Sequence, residues 1–566
     1  MSEERIRQRP WSRKPVLALP EDAGFTKAEH WAWARILNGK VADMSRYPGD
    51  DISPADESWL LGVHKPTPNP KDPDSFTPDH RLSELFLRTV LFHEPWASAP
   101  ELPGVRVKHA RIEGKIYWSG RKTTGGLWMD SCRFEAVVIL QDLIVSGLLS
   151  LEGAYLENGL NADRAKVAGN LVCSGGFTSK GDVRLAAANI GGQANFQGAT
   201  LKNRLIGDGI QVAGDLFCIN GFSAAGEVRL PGARIGGQAA FIDAVLERGL
   251  NASRMHVTES LFCRDRFTAK GDIILVGADI GGALQLAKSR IESEIDLTGA
   301  KIGAELYLDS GGNSKPDWGP GASLILRNAR IRALAASLEG FCKTRTGKKI
   351  KRGDFPRLDF TGLRYEELGG YDTSGVGSLA HSEVRDLKIL LAAASEHEGN
   401  FTPGPYRQMA LVLAESGQKS KSVDLLHAMR KHERKASKGA RGLGLALSGR
   451  LTGFGYRPWY AGYWFLFLTA IWTALGLALT GETALRTPNI PDLERTVRWI
   501  WFTVGNALPL IVLDDAHKTF LADALGKEPH DVPSGIASLF YFHKLLGYSL
   551  ITYLAASLTG LTDKRS

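Results

Sequence analysis

Through the middle of the chain, apolar residues alternate with polar ones in short runs, such as Val183-Arg184-Leu185 and Leu284-Gln285-Leu286, and the runs are closed by glycine-containing corners. This two-residue rhythm predicts strands of three to five residues, with no helix of useful length between Val105 and Leu338. A longer period lies over it. Cys173, Cys218 and Cys263 stand 45 residues apart, as do Phe177, Phe222 and Phe267, and Ile190-Gly191-Gly192 returns as Ile235-Gly236-Gly237 and Ile280-Gly281-Gly282. Residues 173–201 and 218–246 share 16 identities in 29 positions, which marks an internal duplication. Gly147, Leu149, Leu151, Ala154 and Leu156 form a fainter copy, 45 residues before Gly192, Ala194, Phe196, Ala199 and Leu201.

Within each unit, aliphatics such as Ile190, Leu201 and Val212 step by eleven. Two coils of about 22 residues per unit, stacked about 4.8 Å apart, satisfy both periods. The prediction is a mainly β chain, a right-handed parallel β-solenoid over residues 105–342 with roughly ten coils. Small residues such as Ala188, Ala233 and Ala278 are expected in its tight corners.

The flanks carry helical signals. Thr26 and Glu29 have capping-box spacing, so a helix is expected to run from there to Leu37, before Asn38-Gly39. A second is expected over Leu82 to Phe92, with Leu82, Leu85, Phe86 and Val90 on one face, making residues 1–104 a helical cap on the first coil. Residues 343–404 read as a last strand within Leu358–Tyr365 followed by a linker. Residues 405–457 read as a helical hairpin, Pro405 to Glu415 and Ser420 to Ala436, broken at Gly417. Its apolar pattern, Tyr406, Ala410, Leu411 and Ala414 with Val423, Leu426 and Met429, is like one tetratricopeptide-type unit.

Residues 458–566 read as a transmembrane domain. Tyr460 to Thr480 is 21 residues without a charge, about 31 Å as a helix, with Trp459, Tyr460, Tyr463 and Trp464 where an interfacial aromatic belt belongs. Trp499 to Leu513 is short for a crossing and contains Asn506 and Pro509. Leu545 to Leu561 follows His543-Lys544 and can cross if its ends snorkel. Two arrangements fit: three crossings, or two around a re-entrant segment at Asn506 and Pro509. The acidic stretch 514–534 and the Lys564-Arg565 tail favour the second, and a kinked anchor helix is its plain alternative.

Charge sharpens this picture. From Lys419 to Arg457 ten basic residues face only Asp424 and Glu433, an excess equal to the whole chain's formal charge of +8. Arg430, Lys431, Arg434, Lys435, Lys438 and Arg441 thus form a basic patch beside the first span. It is suited to anionic lipid headgroups, not to a nucleic-acid partner, and it places that side in the cytoplasm. The opening Met1-Ser2-Glu3-Glu4-Arg5 holds no apolar run like a signal peptide's, which agrees with a cytoplasmic solenoid at the inner membrane.

Candidate chemistry is sparse. The cysteines recur two coils apart, about 9 to 10 Å, too far for a disulfide or a shared zinc, and are expected as small core residues. Asp182, Glu227 and Asp272 are expected as solvated turn residues. His427 and His432 are five apart, off the spacing that aligns two ligands on a helix. His543 is the one intramembrane candidate for a haem ligand. No catalytic, cofactor-binding or metal-ligating residue is assigned, and no cofactor.

Gly-Ala-Arg-Ile-Gly-Gly at 232–237, Leu363-Arg364-Tyr365, the stretch Tyr406 to Glu433 and Ala507-Leu508-Pro509-Leu510-Ile511 together resemble a bacterial family of membrane-anchored, pentapeptide-like repeat proteins. That family is catalogued as membrane-associated oxidoreductases. The resemblance covers about Leu82 to Leu561 and implies a solenoid on a membrane base, with no catalytic residues to carry over. The functional expectation is a membrane-tethered, non-enzymatic scaffold, with an unknown protein partner or with further copies of itself. The alternative is an oligomeric channel gated by the solenoid; an oxidoreductase comes third. No Gly-rich turn between strand and helix N-terminus, and no Cys-x-x-Cys, supports the redox label.

Overall fold

The computed structural model describes residues 17–49, 57–309, 314–343, 349–369, 378–397, 400–457, 459–479, 492–508, 519, 522 and 534–558. Pro509, most of the acidic stretch 514–534 and Lys564-Arg565 therefore lie outside the described residues. The chain divides into two compact units, one up to Gln408 and one from Met409.

The first unit is a parallel β-solenoid. Two of its sheets are 11-stranded ladders and the third, order-spanning sheet has 20 strands, all built from segments of mostly two residues. Down the ladder Leu149, Leu171, Ala194, Leu216, Ala239, Leu261 and Leu284, successive partners are 22, 23, 22, 23, 22 and 23 residues apart. The extra residue sits in one corner. Five residues, Cys173 to Phe177, separate the strands Leu171–Val172 and Thr178–Ser179, whereas four, Phe196 to Ala199, separate Ala194–Asn195 from Thr200–Leu201.

That alternation explains the 45-residue period physically. Because Val172 pairs with Asn195 and Asn195 with Phe217, stacking down the corner reads Cys173, Phe196, Cys218, Phe241, Cys263. The neighbouring ladder reads Phe177, Ala199, Phe222, Ala244, Phe267, in the opposite phase. Each coil so contributes one large and one small side chain, and the rings meet edge to face, Phe196 with Phe222 and Phe241 with Phe267, each at 6.4 Å. All of these residues are buried. Cores pack to crystal-like density, so two Phe on the same rung would overfill it and two small residues would leave a void. A single coil cannot satisfy this pattern; two can.

The Ile-Gly-Gly corner has a different cause. A Cβ on Gly191, Gly236 or Gly281 would lie 2.3, 2.2 and 2.2 Å from the carbonyl oxygen of Ala168, Ala213 and Thr258 in the coil before. One residue on, Gly192, Gly237 and Gly282 make room for the side-chain oxygens of Asn170, Asp215 and Ser260. Those oxygens accept from the backbone N–H of Gln193, Gln238 and Ala283 at 2.9, 2.9 and 3.0 Å.

At the N-terminal end, helix α1 (Lys27–Leu37) carries the expected capping box, with Glu29 N donating to Thr26 Oγ1 at 3.1 Å. The carboxylate of Glu29 also accepts from the backbone and hydroxyl of Ser83, at 2.8 and 2.6 Å. After a short α2 (Glu57–Leu61), the second expected helix begins later than its apolar pattern implies. Leu82 belongs to a strand, Arg81–Ser83, that pairs with Arg111–Glu113, and Ser83 caps α3 (Glu84–Phe92), which leaves Leu85 exposed. Ala42–Asp43 likewise pairs with Val107–Lys108, so this region adds strands as well as helices.

At the other end, Arg357–Asp359 and Arg364–Leu368 continue the ladders, where a last strand was expected. The expected linker instead holds α4 (Val384–Ser395), which buries Leu387, Leu390, Leu391 and Ala394. The hairpin helices are α5 (Gly404–Glu415) and α6 (Lys419–Ala436). Of the expected apolar faces, Tyr406, Ala410 and Met429 are buried, with Met409, Val412, Leu413 and Leu425 beside them, while Leu411 and Val423 are exposed.

In the second unit, α6 is followed by α7 (Gly439–Thr452), which sequence reading missed, and by α8 (Trp459–Leu479), α9 (Asp492–Ala507) and α10 (Ser534–Leu558). Helix α8 is long and apolar enough to cross a membrane by length and composition. Helix α10 starts eleven residues before the expected Leu545, so His543 and Lys544 lie inside it.

Candidate functional site

On the solenoid surface, carboxylates are tied to a cation one coil later. Asp142 meets Arg164 at 2.8 Å, Asp163 meets Arg184 at 2.6 Å, Asp208 meets Arg229 at 2.9 Å and Glu247 meets Lys270 at 2.8 Å. Of the three acidic residues expected in solvated turns, Asp182 is bound by Arg204 at 2.6 Å, Glu227 lies 3.7 Å from Arg229, and Asp272 accepts from the Ser293 hydroxyl. Burial pushes the Asp182 carboxyl up, but its bonds to Arg204 prevail and hold it below the usual range. Among the described residues no group of three or more potential ligands could hold a metal ion.

The cysteine ladder is core. Cys173, Cys218 and Cys263 are buried and unbridged, and burial pushes their thiols up, that of Cys263 to about 12. Thiolate chemistry needs the opposite shift. A cleft of 470 Å³ lies beside α4, lined by Arg352, Phe355, Arg357, Ala393 and Glu396, but Arg352 and Glu396 neutralise each other at 2.5 Å.

In the second unit, apolar side chains lie on both the inner and the outer faces of the helices. The inward faces of α8, α9 and α10 join Trp472, Trp499, Phe502 and Phe540 in a small core that also contains Thr473, Thr503, Asn506 and His543, all buried. Large apolar side chains point outward: Trp459, Tyr463, Leu466, Phe467 and Ile471 on α8, Ile500 and Trp501 on α9, and Leu539, Tyr541, Phe542 and Leu545 on α10.

The buried polar groups pair across the helices. Thr473 and Thr503 share a hydrogen bond of 2.8 Å, and each hydroxyl also contacts a carbonyl one turn back. Asn506 is helical, one residue from the end of α9. Its Nδ2 donates to the carbonyl of Phe540 at 3.1 Å and lies 3.2 Å from His543 Nδ1. His543 Nε2 is buried with no hydrogen-bond partner among the described residues, and the ring lies 5.3 Å from that of Trp472. Close approach is bought with glycine: a Cβ on Gly476 would strike the Trp499 ring at 2.5 Å, and one on Gly547 would strike Ala507 at 2.5 Å.

The basic patch is partly internalised. Arg430 and Arg441 converge on Glu433 at 2.8 and 2.7 Å, and Arg457 meets Asp424 at 3.0 Å. Burial pushes the Glu433 carboxyl up, but the two arginines more than reverse it and hold it low. Lys431, Lys435, Lys438 and Arg441 are exposed and Arg434 is half-buried, so these five form the outward part of the patch. His427 packs edge to face on Phe454, 5.6 Å between centroids.

The Asn506–His543 contact could not be read from the sequence, because the partners lie 37 residues apart on different helices. Comparisons with protein-family models, curated proteins and solved structures found no match.

Proposed function

We propose that this chain is a membrane-tethered scaffold: a right-handed β-solenoid held at the inner membrane and presenting its ladder surface to the cytoplasm. The observation that carries the reading is the apolar outer surface of α8 to α10, around a core that holds paired polar groups. A helical cluster in water hides its apolar groups, whereas this one, besides burying Trp472, Trp499, Phe502 and Phe540, also turns Trp, Phe, Leu and Ile outward, and it pairs Thr, Asn and His with one another inside, as hydrocarbon solvent favours. Helices α8 and α10, at 21 and 25 residues, are long enough to cross, and α9, at 16, falls short. The ten basic residues ahead of α8 favour a cytoplasmic location for that side, with anionic headgroups as their partner.

The solenoid suits a scaffold because its surface is rigid and periodic, with ion pairs repeated from coil to coil. A second reading, an oligomeric channel, is favoured by the buried Thr473, Thr503, Asn506 and His543, since polar residues inside a membrane bundle mark conduction paths in many proteins. An oxidoreductase is the third reading, with His543 Nε2 as the available ligand atom.

Purification in mild detergent followed by reconstitution into vesicles separates them. The scaffold reading expects no visible chromophore and no ion flux above protein-free vesicles. Flux abolished by Asn506→Leu would transfer the assignment to a channel, and a haem or flavin spectrum lost in His543→Ala would transfer it to an oxidoreductase.

A further inference from the structure

Helix α7 is difficult to account for in water. It runs 14 residues without burying one, and Gly442, Gly444 and Gly449 lie in its interior, each weakening a helix relative to alanine. A segment of this length does not hold a helix on propensity alone; its stability must come from an apolar surface laid against it. Its outward stripe is apolar. Leu443 and Leu447, one turn apart, are 75% and 60% exposed, more than most leucines in the chain.

Two observations identify the covering surface. The first is charge. Lys435, Lys438 and Arg441 lie at or just before the N-terminal end of α7 and Arg450 lies in its last turn, so cations bracket the leucine stripe at both ends. The second is depth. The indole N–H of Trp464 donates to the carbonyl of Arg450 at 2.8 Å, which pins the end of α7 beside the second turn of α8, about 7.5 Å from where that helix begins. At the other end, Arg441 is held to Glu433 of α6. Helix α7 is thus tied at both ends, level with the entry of an apolar helix.

We infer that α7 is an interfacial helix: it lies in the plane of an anionic bilayer with Leu443 and Leu447 among the upper acyl chains and its flanking cations at the phosphates. This rests on the membrane reading of α8. It adds that the basic stretch is a structured helical element which sets the depth of the anchor. A protein partner would need no cations at both ends of the stripe.

The test uses the full chain in vesicles of phosphatidylglycerol and phosphatidylcholine, with one environment-sensitive fluorophore at Leu443→Cys or Leu447→Cys, the native cysteines being buried. A third label, at Leu466→Cys, reports α8 independently; Leu466 is 65% exposed. The inference expects both α7 labels to be quenched by shallow lipid-borne nitroxide about twofold or more over water-soluble nitroxide, and to move toward water in purely zwitterionic vesicles. If α7 labels favour the aqueous quencher, or are shielded from both quenchers, while the Leu466 label is lipid-quenched, the interfacial helix is wrong and the anchor stands. If the Leu466 label also sits in water, the membrane reading itself falls.

Discussion

Replacing Gly236 by alanine tests how tightly the coils are locked together. The new methyl would sit 2.2 Å from the carbonyl oxygen of Ala213, where an ordinary carbon–oxygen contact needs about 3.3 Å, so the two coils must part locally by about 1 Å. The hydrogen bonds there, Gly236 N–H to Val212 at 2.8 Å and Gly237 N–H to Gly214 at 3.0 Å, would then exceed bonding range. Two buried backbone bonds lost or left unsatisfied cost about 2–4 kcal/mol. That predicts a fall in local hydrogen-exchange protection of about 30- to 700-fold in the coils around residue 236. The control is Gly232→Ala in the same coil, where φ is +67° but nothing lies within 4 Å. Only left-handed strain opposes that change, about 1–2 kcal/mol. Exchange mass spectrometry on the two variants decides it. If Gly236→Ala exchanges like the parent protein, or is perturbed less than Gly232→Ala, the steric account of the Ile-Gly-Gly corner is refuted.

Three further outcomes follow from the same geometry. Native protein should resist alkylation at Cys173, Cys218 and Cys263, since burial keeps their thiols protonated, and should take up the reagent fully only after denaturation; rapid native labelling would contradict the core ladder. The carboxyl of Glu433 is held below its ordinary 4.5, so its contribution is complete above that pH and is lost as pH falls through the lowered value. A nitroxide at Ala440→Cys should therefore gain mobility only as pH falls through that lowered value, and at neutral pH in Glu433→Gln, while an unchanged spectrum would show that Glu433 does not fasten α7. Deletion of residues 218–262 removes one long and one short corner together and should leave the remaining coils protected from exchange; deletion of 218–240, a single coil, sets long and short corners out of phase and should not.

The solenoid was legible because its information is local and repeated. Cys173, Phe177 and Ile190-Gly191-Gly192 announce a period that the strand register confirms, although the reason for 45, large against small side chains on alternate coils, appears only once Cys173 is seen stacked on Phe196. Boundaries were harder. Leu82 carries an apolar residue at helical spacing, yet pairing with Ile112 draws it into a strand. Helix α7 was missed because Gly439, Gly442, Gly444 and Gly449 read as breakers, and no buried stripe compensates for them. In α6, Leu425 replaces the expected Val423 because which helical face is covered depends on neighbours distant in sequence. His543 could be singled out as an ionisable residue near an apolar run, but its contact with Asn506 is purely tertiary.

The most direct measurement is flotation of membranes from cells expressing the full chain, before and after washing in alkaline carbonate, beside a variant lacking residues 459–566. The account predicts that the full chain floats with lipid through the wash and is released only by detergent, and that the truncated chain does not survive the wash with lipid. Release of the full chain into the carbonate supernatant would contradict it.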